Sequence, residues 1–426
     1  MTATSGSPDR DGLPGTPEAG GQLTSVIDLA SRWLGGSVLA VSDESFGDKD
    51  NLLNPGPTTY QGGRLGNRGE IVDGWETRRR RQPGNDWAIV RLGAPGRITT
   101  IQVDTSLFTG NFPESCRVEA CGQEGYPGLR ELDGPAGWVE VVPQSPLEGD
   151  HINVFPVYDS RRFTHVRLSI FPDGGVARLR VSGQVLPDPR QFDGVTIDLA
   201  SQAVGGALVS CSDDFYTSPS LLIRPDEART MGDGWEARRR RGPGNDFAIF
   251  QLGLEGDIRK VVVETIYFRY NASGEIAVQR CGQLPAPSPQ SGAWEPLVER
   301  TIVQPDTNHV FMVSGRASTA CVRLDAFPDG GLSRFRLIGW VDPAARRRVG
   351  YAWFNSLPPD QATRCLTDAG IAGDLAARAL EERPLATNWL SSQVSTVGSS
   401  SGTSAAQNLR ALAAMLEGPA DRDGSR

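Results

Sequence analysis

The chain has 426 residues, a net charge of −8, 50 Gly and 30 Pro. That length suggests two or three domains, the acidic balance argues against nucleic-acid or membrane partners despite several Arg runs, and no apolar run approaches the ~20 residues that span a bilayer. Residues 1–22, rich in Ser, Pro, Gly, Asp and Glu, read as a disordered leader rather than a secretory signal.

From residue 23 the chain repeats itself. Val26-Ile-Asp-Leu-Ala-Ser31 is answered by Thr196-Ile-Asp-Leu-Ala-Ser201, and Val41-Ser-Asp43 by Cys211-Ser-Asp213. Between Asp73 and Gly93 the sequence matches Asp233–Gly253 at 16 of 21 positions, including Trp, Glu and four successive Arg. A duplication fixes the architecture before any other feature. On an extended strand Glu76, Arg78 and Arg80 face one way, while Trp75, Thr77, Arg79 and Arg81 face the other.

Ile98–Thr105, matched by Ile258–Thr265, reads as a strand. Alternation in Val166–Ile170 and again through Leu179 and Val181, around Pro172-Asp-Gly-Gly175, predicts a hairpin with one solvated face. The second copy is Val322–Leu337. Short strands separated by Gly, Pro and Asp turns predict an all-β protein, a tandem duplication of a jelly-roll β-sandwich. The repeats span 23–187 and 194–342, joined by a stiff Pro-containing linker. Beyond them 350–390 is helical in composition, a short C-terminal tail, and 391–426 reads as flexible, with a short amphipathic segment at Leu409–Leu416.

Six Cys, at 116, 121, 211, 281, 321 and 365, fit no zinc or redox spacing, and suggest buried thiols in a reducing, cytoplasmic setting. His151, His165 and His309 are too few for a His-rich metal centre or triad, and no metal ligand is assigned. Chemistry is therefore sought in the duplicated segment. Asp73, Glu76 and Asp86, with Glu236 in the second copy, are candidates for proton transfer or for holding a divalent cation. Asp73 and Asp86 equally suit turns, whereas Glu76 stands mid-strand. Arg78, Arg80, Arg238 and Arg240 offer planar forks suited to a carboxylate; a structural ion-pair role is the alternative. Asn85 and Asn245 can read a ureido group. So can Asp104, Thr105 and Asn111 on the following loop, whose second copy has diverged.

Three motifs together resemble the allantoicase family: Asp-Gly-Trp-Glu-Thr-Arg-Arg-Arg-Arg with Gly-Asn-Asp-Trp, Val103-Asp-Thr…Gly-Asn-Phe-Pro-Glu-Ser, and Phe-Pro-Asp-Gly-Gly-Val-Ala-Arg-Leu-Arg. The likeness covers about residues 24–342. It implies hydrolysis of allantoate to ureidoglycolate and urea in purine (allantoin) catabolism, a homo-oligomer, and a possible divalent metal such as Mn. It also implies a His where this chain has Leu107, and Tyr267 in the second copy. The alternative is a non-catalytic ligand-binding sandwich or a degenerate paralogue. The stretch from 351 to about 390, with Trp353-Phe-Asn-Ser-Leu-Pro-Pro, resembles the start of a ureidoimidazoline decarboxylase without its His-Pro motif.

Overall fold

The computed structural model describes residues 26–60, 62–67, 69–134, 137–314, 317–396 and 403–419. The leader expected over 1–22 lies outside the described residues.

Each repeat is organised on one 19-residue strand, Asp86–Asp104 in the first and Asp246–Glu264 in the second. Ordinary strands run 3–10 residues, and this one is long because it serves both layers of a sandwich. Its first part pairs with Arg162–Phe171 and Ser37–Val41; its second part pairs with Arg178–Val185 and Ile152–Pro156. Ser115–Cys121 and Val139–Pro146 extend the sheet beyond Arg162–Phe171. The crossing point needs small residues. A Cβ on Gly96 would stand 2.2 Å from the Gln184 carbonyl, and one on Gly256 would stand 2.3 Å from that of Trp340.

Inward side chains such as Ala88, Val90, Ile101, Val103, Leu168 and Leu179 fill a core between the layers, with Trp75 fully buried at one end. The second repeat builds an equivalent core around Trp235, Phe250 and Phe335. The fold is thus a duplicated jelly-roll sandwich with a helical C-terminus.

Two local expectations give way. Arg162–Phe171 and Arg178–Val185 do not form a hairpin with each other. Leu168 lies opposite Ala88 and Val118, whereas Leu179 lies opposite Val103. The long strand crosses layers, so these strands flank different parts of it. Gly175–Val176 between them pairs instead with Trp75–Glu76. Nor is the outer face of Arg162–Phe171 solvated. Ile89, Cys121 and Leu132 form a second apolar cluster there, packed by Trp87 and Trp138, and His165 is buried. Burial and the charge of Arg91 push the His165 imidazole down to about 4, so it stays neutral.

The tail is a helical unit with its own core. Helices span Pro343–Ser356, Pro359–Asp368, Asp374–Glu381, Trp389–Thr396 and Thr403–Glu417. The flexibility expected over 391–426 therefore fails where the last two helices lie. Leu412, Met415 and Leu416 recur at helical spacing and bury with Tyr351, Trp353 and Phe354. Gly350 lets the Leu416 backbone approach, since a Cβ there would lie 1.8 Å from its carbonyl. The unit grips the linker and both repeats: Arg346 bonds Asp193 at 2.8 and 3.0 Å, Gln361 bonds Glu124 at 2.8 Å, and Arg348 pairs with Glu255 at 2.7 Å.

Candidate active site

Ahead of the long strand that begins at Asp86, the duplicated segment is strand for only two residues, Trp75–Glu76. Residues 77–85 leave the sheet, so the alternation expected across the Arg run ends at its start. The short strand is pinned from both sides: Glu76 lies opposite Gly175 and bridges Gly47. Trp75 points into the core and its indole N–H donates to the Asp43 carbonyl at 2.7 Å. Glu76 points the other way, into a cleft of about 360 Å³. Its Oε1 accepts from Asn111 Nδ2 at 2.7 Å. Burial pushes the Glu76 carboxyl above its ordinary value, and the Asn111 hydrogen bond opposes this only in part.

Phe46, Ile71 and Phe108 give the cleft apolar walls, with Thr58, Tyr60 and Leu107 also lining it. Leu107 adopts a left-handed backbone at φ 72°, uncommon for a branched side chain. Its N–H is held by Asp150 Oδ1 at 2.8 Å. Tyr267 repeats that geometry at φ 71° with Asp306.

Asp73 also lines the cleft, but its carboxylate is committed. Both oxygens accept from Arg178 Nη2 at 2.8 Å, and Oδ2 takes the Thr59 N–H and hydroxyl at 2.8 and 3.0 Å. Burial alone would push Asp73 up; Arg178 and Thr59 outweigh it and hold the group below the usual carboxylate value. Arg178 is 3 % exposed and also donates to the Asp73 and Ala177 carbonyls, so it anchors the cleft floor.

Other candidates lie off the cleft. Asp86 is buried and bonded by Arg80 Nη1 at 2.7 Å and by Ser42 at 2.9 Å; the Arg80 N–H goes to Asp173. The pair engages Asp86 Oδ1 and Arg80 Nη1 with each other, leaves Asp86 Oδ2 and Arg80 Nε buried without a partner, and lies outside the cleft lining. Asn85 bonds the Asp86 carbonyl. Asp104 caps the Ser106 N–H, and the buried Thr105 hydroxyl donates to the Glu148 carbonyl at 2.6 Å. Both support the loop from beneath. Arg78 is also outside the cleft lining, but its side chain is 74 % exposed and meets Asp43 at 3.4 Å.

The second repeat keeps the pair, Glu236 accepting from Asn271 at 2.8 Å, but Met231 Sδ lies 3.1 Å from the same amide. Arg240 pairs with the buried Asp246, Asn245 bonds Asp325, and Arg238 pairs with Asp213 at 2.7 Å. The cleft loop differs most. Leu53 and Trp75 are 22 positions apart, whereas Ile223 and Trp235 are 12 apart. The longer loop of the first copy, extended between Thr59 and Asp73, supplies Tyr60 and Ile71.

Among the described residues no three His, Cys, Asp or Glu side chains converge as a metal centre requires. With Asp73 held by Arg178, the cleft's donor set does not fit the divalent ion that the resemblance admits.

Sequence reasoning missed Arg178, Asn271 and the loop around Thr58. Arg178 was legible as the Ala-Arg-Leu-Arg matched by Ser-Arg-Phe-Arg, and the loop as the length difference between copies.

Fold and cleft together define a tandem jelly-roll protein whose first repeat carries a carboxylate–amide pocket of small-molecule size. Residues 27–186 and 197–342 each match the family model described as the allantoicase repeat. The probable allantoicase of Nocardia farcinica is 44 % identical over 319 residues, covering 74 % of this chain and 95 % of that one. The Streptomyces avermitilis relative, also a probable allantoicase, is 40 % identical over 343 residues, covering 77 % and 90 %. The crystal structure of Saccharomyces cerevisiae allantoicase superposes with a TM-score of 0.64 at 33 % identity, covering 74 % of this chain and 93 % of that one. The chain belongs to the allantoicase family. The helical unit lies outside the family match, which ends at 342.

Proposed function

We propose that this chain hydrolyses allantoate to ureidoglycolate and urea, and that the reaction takes place in the cleft of the first repeat. The observation that carries the placement is Glu76: a half-buried carboxyl, raised by burial and oriented by Asn111, at a cleft of substrate size. Allantoate holds a carboxylate and two ureido groups on one carbon. Releasing urea breaks a C–N bond at that carbon: the leaving nitrogen gains a proton and water gives its hydroxyl to the carbon. One group can serve both steps if it is protonated in part near neutrality. Glu76 donates to the departing ureido nitrogen and recovers a proton from the attacking water.

Asn111 uses its N–H on Glu76, which leaves its carbonyl to accept a ureido N–H. Arg78, two residues beyond Glu76 and held by Asp43 only at 3.4 Å, suits the substrate carboxylate. Glu236, Arg238 and Asn245 we assign to the architecture of the second repeat. The deciding experiment is urea release by Glu76→Gln with retained fold; undiminished release removes Glu76 from the role.

Assembly and location follow the same reading. Strands Ile152–Pro156 and Asn308–Met312 each pair on one side only and expose Ile152 and Val154, Val310 and Met312. Such edges support a homo-oligomer, which light scattering tests. Six unpaired cysteines support a cytoplasmic setting, and no helix among the described residues is long and apolar enough to cross a membrane.

A further inference from the structure

The loop that enters the first cleft contains an unmade hydrogen bond. Thr58 Oγ1 is buried and has no partner, although Thr58 lines the cleft. Its neighbour is the opposite case. Thr59 fixes the loop through its N–H and hydroxyl, both on Asp73 Oδ2, and Asp73 is in turn clasped by Arg178. Thr58 is therefore carried on an anchored backbone, not on a wandering loop. A hydroxyl withheld from water and left without a partner is costly, and native proteins leave few of them. Where the side chain borders a cleft, rotation about χ1 can present the hydroxyl to a ligand that completes it. In the second repeat Thr230 makes the same two bonds to Asp233 that Thr59 makes to Asp73, so Arg229, with no hydroxyl, stands where the first repeat has Thr58.

We infer that Thr58 is a substrate-recognition residue of this cleft, its hydroxyl completing a hydrogen bond to a ureido group of the bound substrate. This rests on the cleft being the active site. The hydroxyl both donates and accepts, and a ureido group offers a carbonyl and N–H groups, so either face of the substrate can be met. Thr58 takes no part in proton transfer. Its contact exists in the ground state and the transition state alike, so its loss raises KM and spares kcat.

The test uses full-length Thr58→Val, which keeps the shape and removes the hydroxyl, and Thr58→Ser, which keeps the hydroxyl and removes the methyl. Each is assayed for urea release from allantoate after circular dichroism and Tm confirm the fold. Loss of one neutral hydrogen bond predicts a KM raised about three- to tenfold in Thr58→Val, with kcat changed by less than about twofold. Thr58→Ser keeps KM within about twofold of the parent. An unchanged KM in Thr58→Val, or an equal rise in both variants, overturns the assignment, the second outcome marking a packing role for the methyl. Glu76→Gln separates the two levels. If it is inactive while Thr58→Val is normal, only the Thr58 assignment falls. If Glu76→Gln turns over fully, the cleft itself is overturned and Thr58 with it.

Discussion

The two repeats share their scaffold down to single hydrogen bonds, yet differ at the cleft. Glu76–Asn111 and Glu236–Asn271 have nearly the same geometry, 2.7 and 2.8 Å. Arg80–Asp86 and Arg240–Asp246 are the same buried pair twice. Around the first Glu, however, a loop ten residues longer raises a wall, while in the second Met231 closes on the Asn. A carboxylate–amide pair is thus common property of the duplicated fold, and the loop around it sets what walls the space it faces. The Arg80–Asp86 and Arg240–Asp246 pairs link a non-strand segment to the start of the long strand in both copies.

Paired substitutions break or sharpen this comparison. The largest effect is expected at the carboxyls: Glu76→Gln lowers kcat by about 10²–10⁴, the range of general acid–base catalysis, whereas Glu236→Gln leaves it within about twofold. Urea release under saturating allantoate measures both, and equal losses would make the repeats equivalent. Arg178→Met and Arg334→Met each break a buried Arg–Asp pair and each cost about 3–5 kcal/mol in denaturant unfolding. Only Arg178→Met should also raise KM, because Asp73 floors the cleft.

Arg78→Ala, removing a charged contact, raises KM by about 10- to 100-fold, and Arg238→Ala does not; the reverse pattern would move the clamp to the second repeat. The smallest effect concerns acid. Asp73 is held below its free value of 3.8, so its stabilising contribution is present above that value and is lost as pH falls through the lowered folded value. Asp73→Asn should remove that part of the acid limb of an unfolding profile. An unchanged limb contradicts the pairing.

Much of this was legible in the sequence, for physical reasons. Trp75 and Glu76 divide between core and cleft because strand residues alternate, and duplication marked the segment as essential. Glu76 stood out because alternation placed it mid-strand with no turn to explain it, although the strand ends at Glu76 itself. Asp86 and Arg80 could not be assigned from sequence, since their partner choice depends on a chain reversal after Thr77 that alternation does not encode. The hairpin expected over 166–181 failed similarly: alternation identifies strands but not neighbours, and the layer-crossing strand at Asp86–Asp104 took both. Thr58 left only the change to Arg229 in the second copy as its trace.

The most direct measurement is a calorimetric titration of Glu76→Gln with allantoate, in which the substrate stays intact. One site per chain is expected, weakened by adding Arg78→Ala and unaffected by adding Arg238→Ala. Two equivalent sites per chain, or binding lost with Arg238→Ala but kept with Arg78→Ala, would contradict placement of the active site in the first repeat.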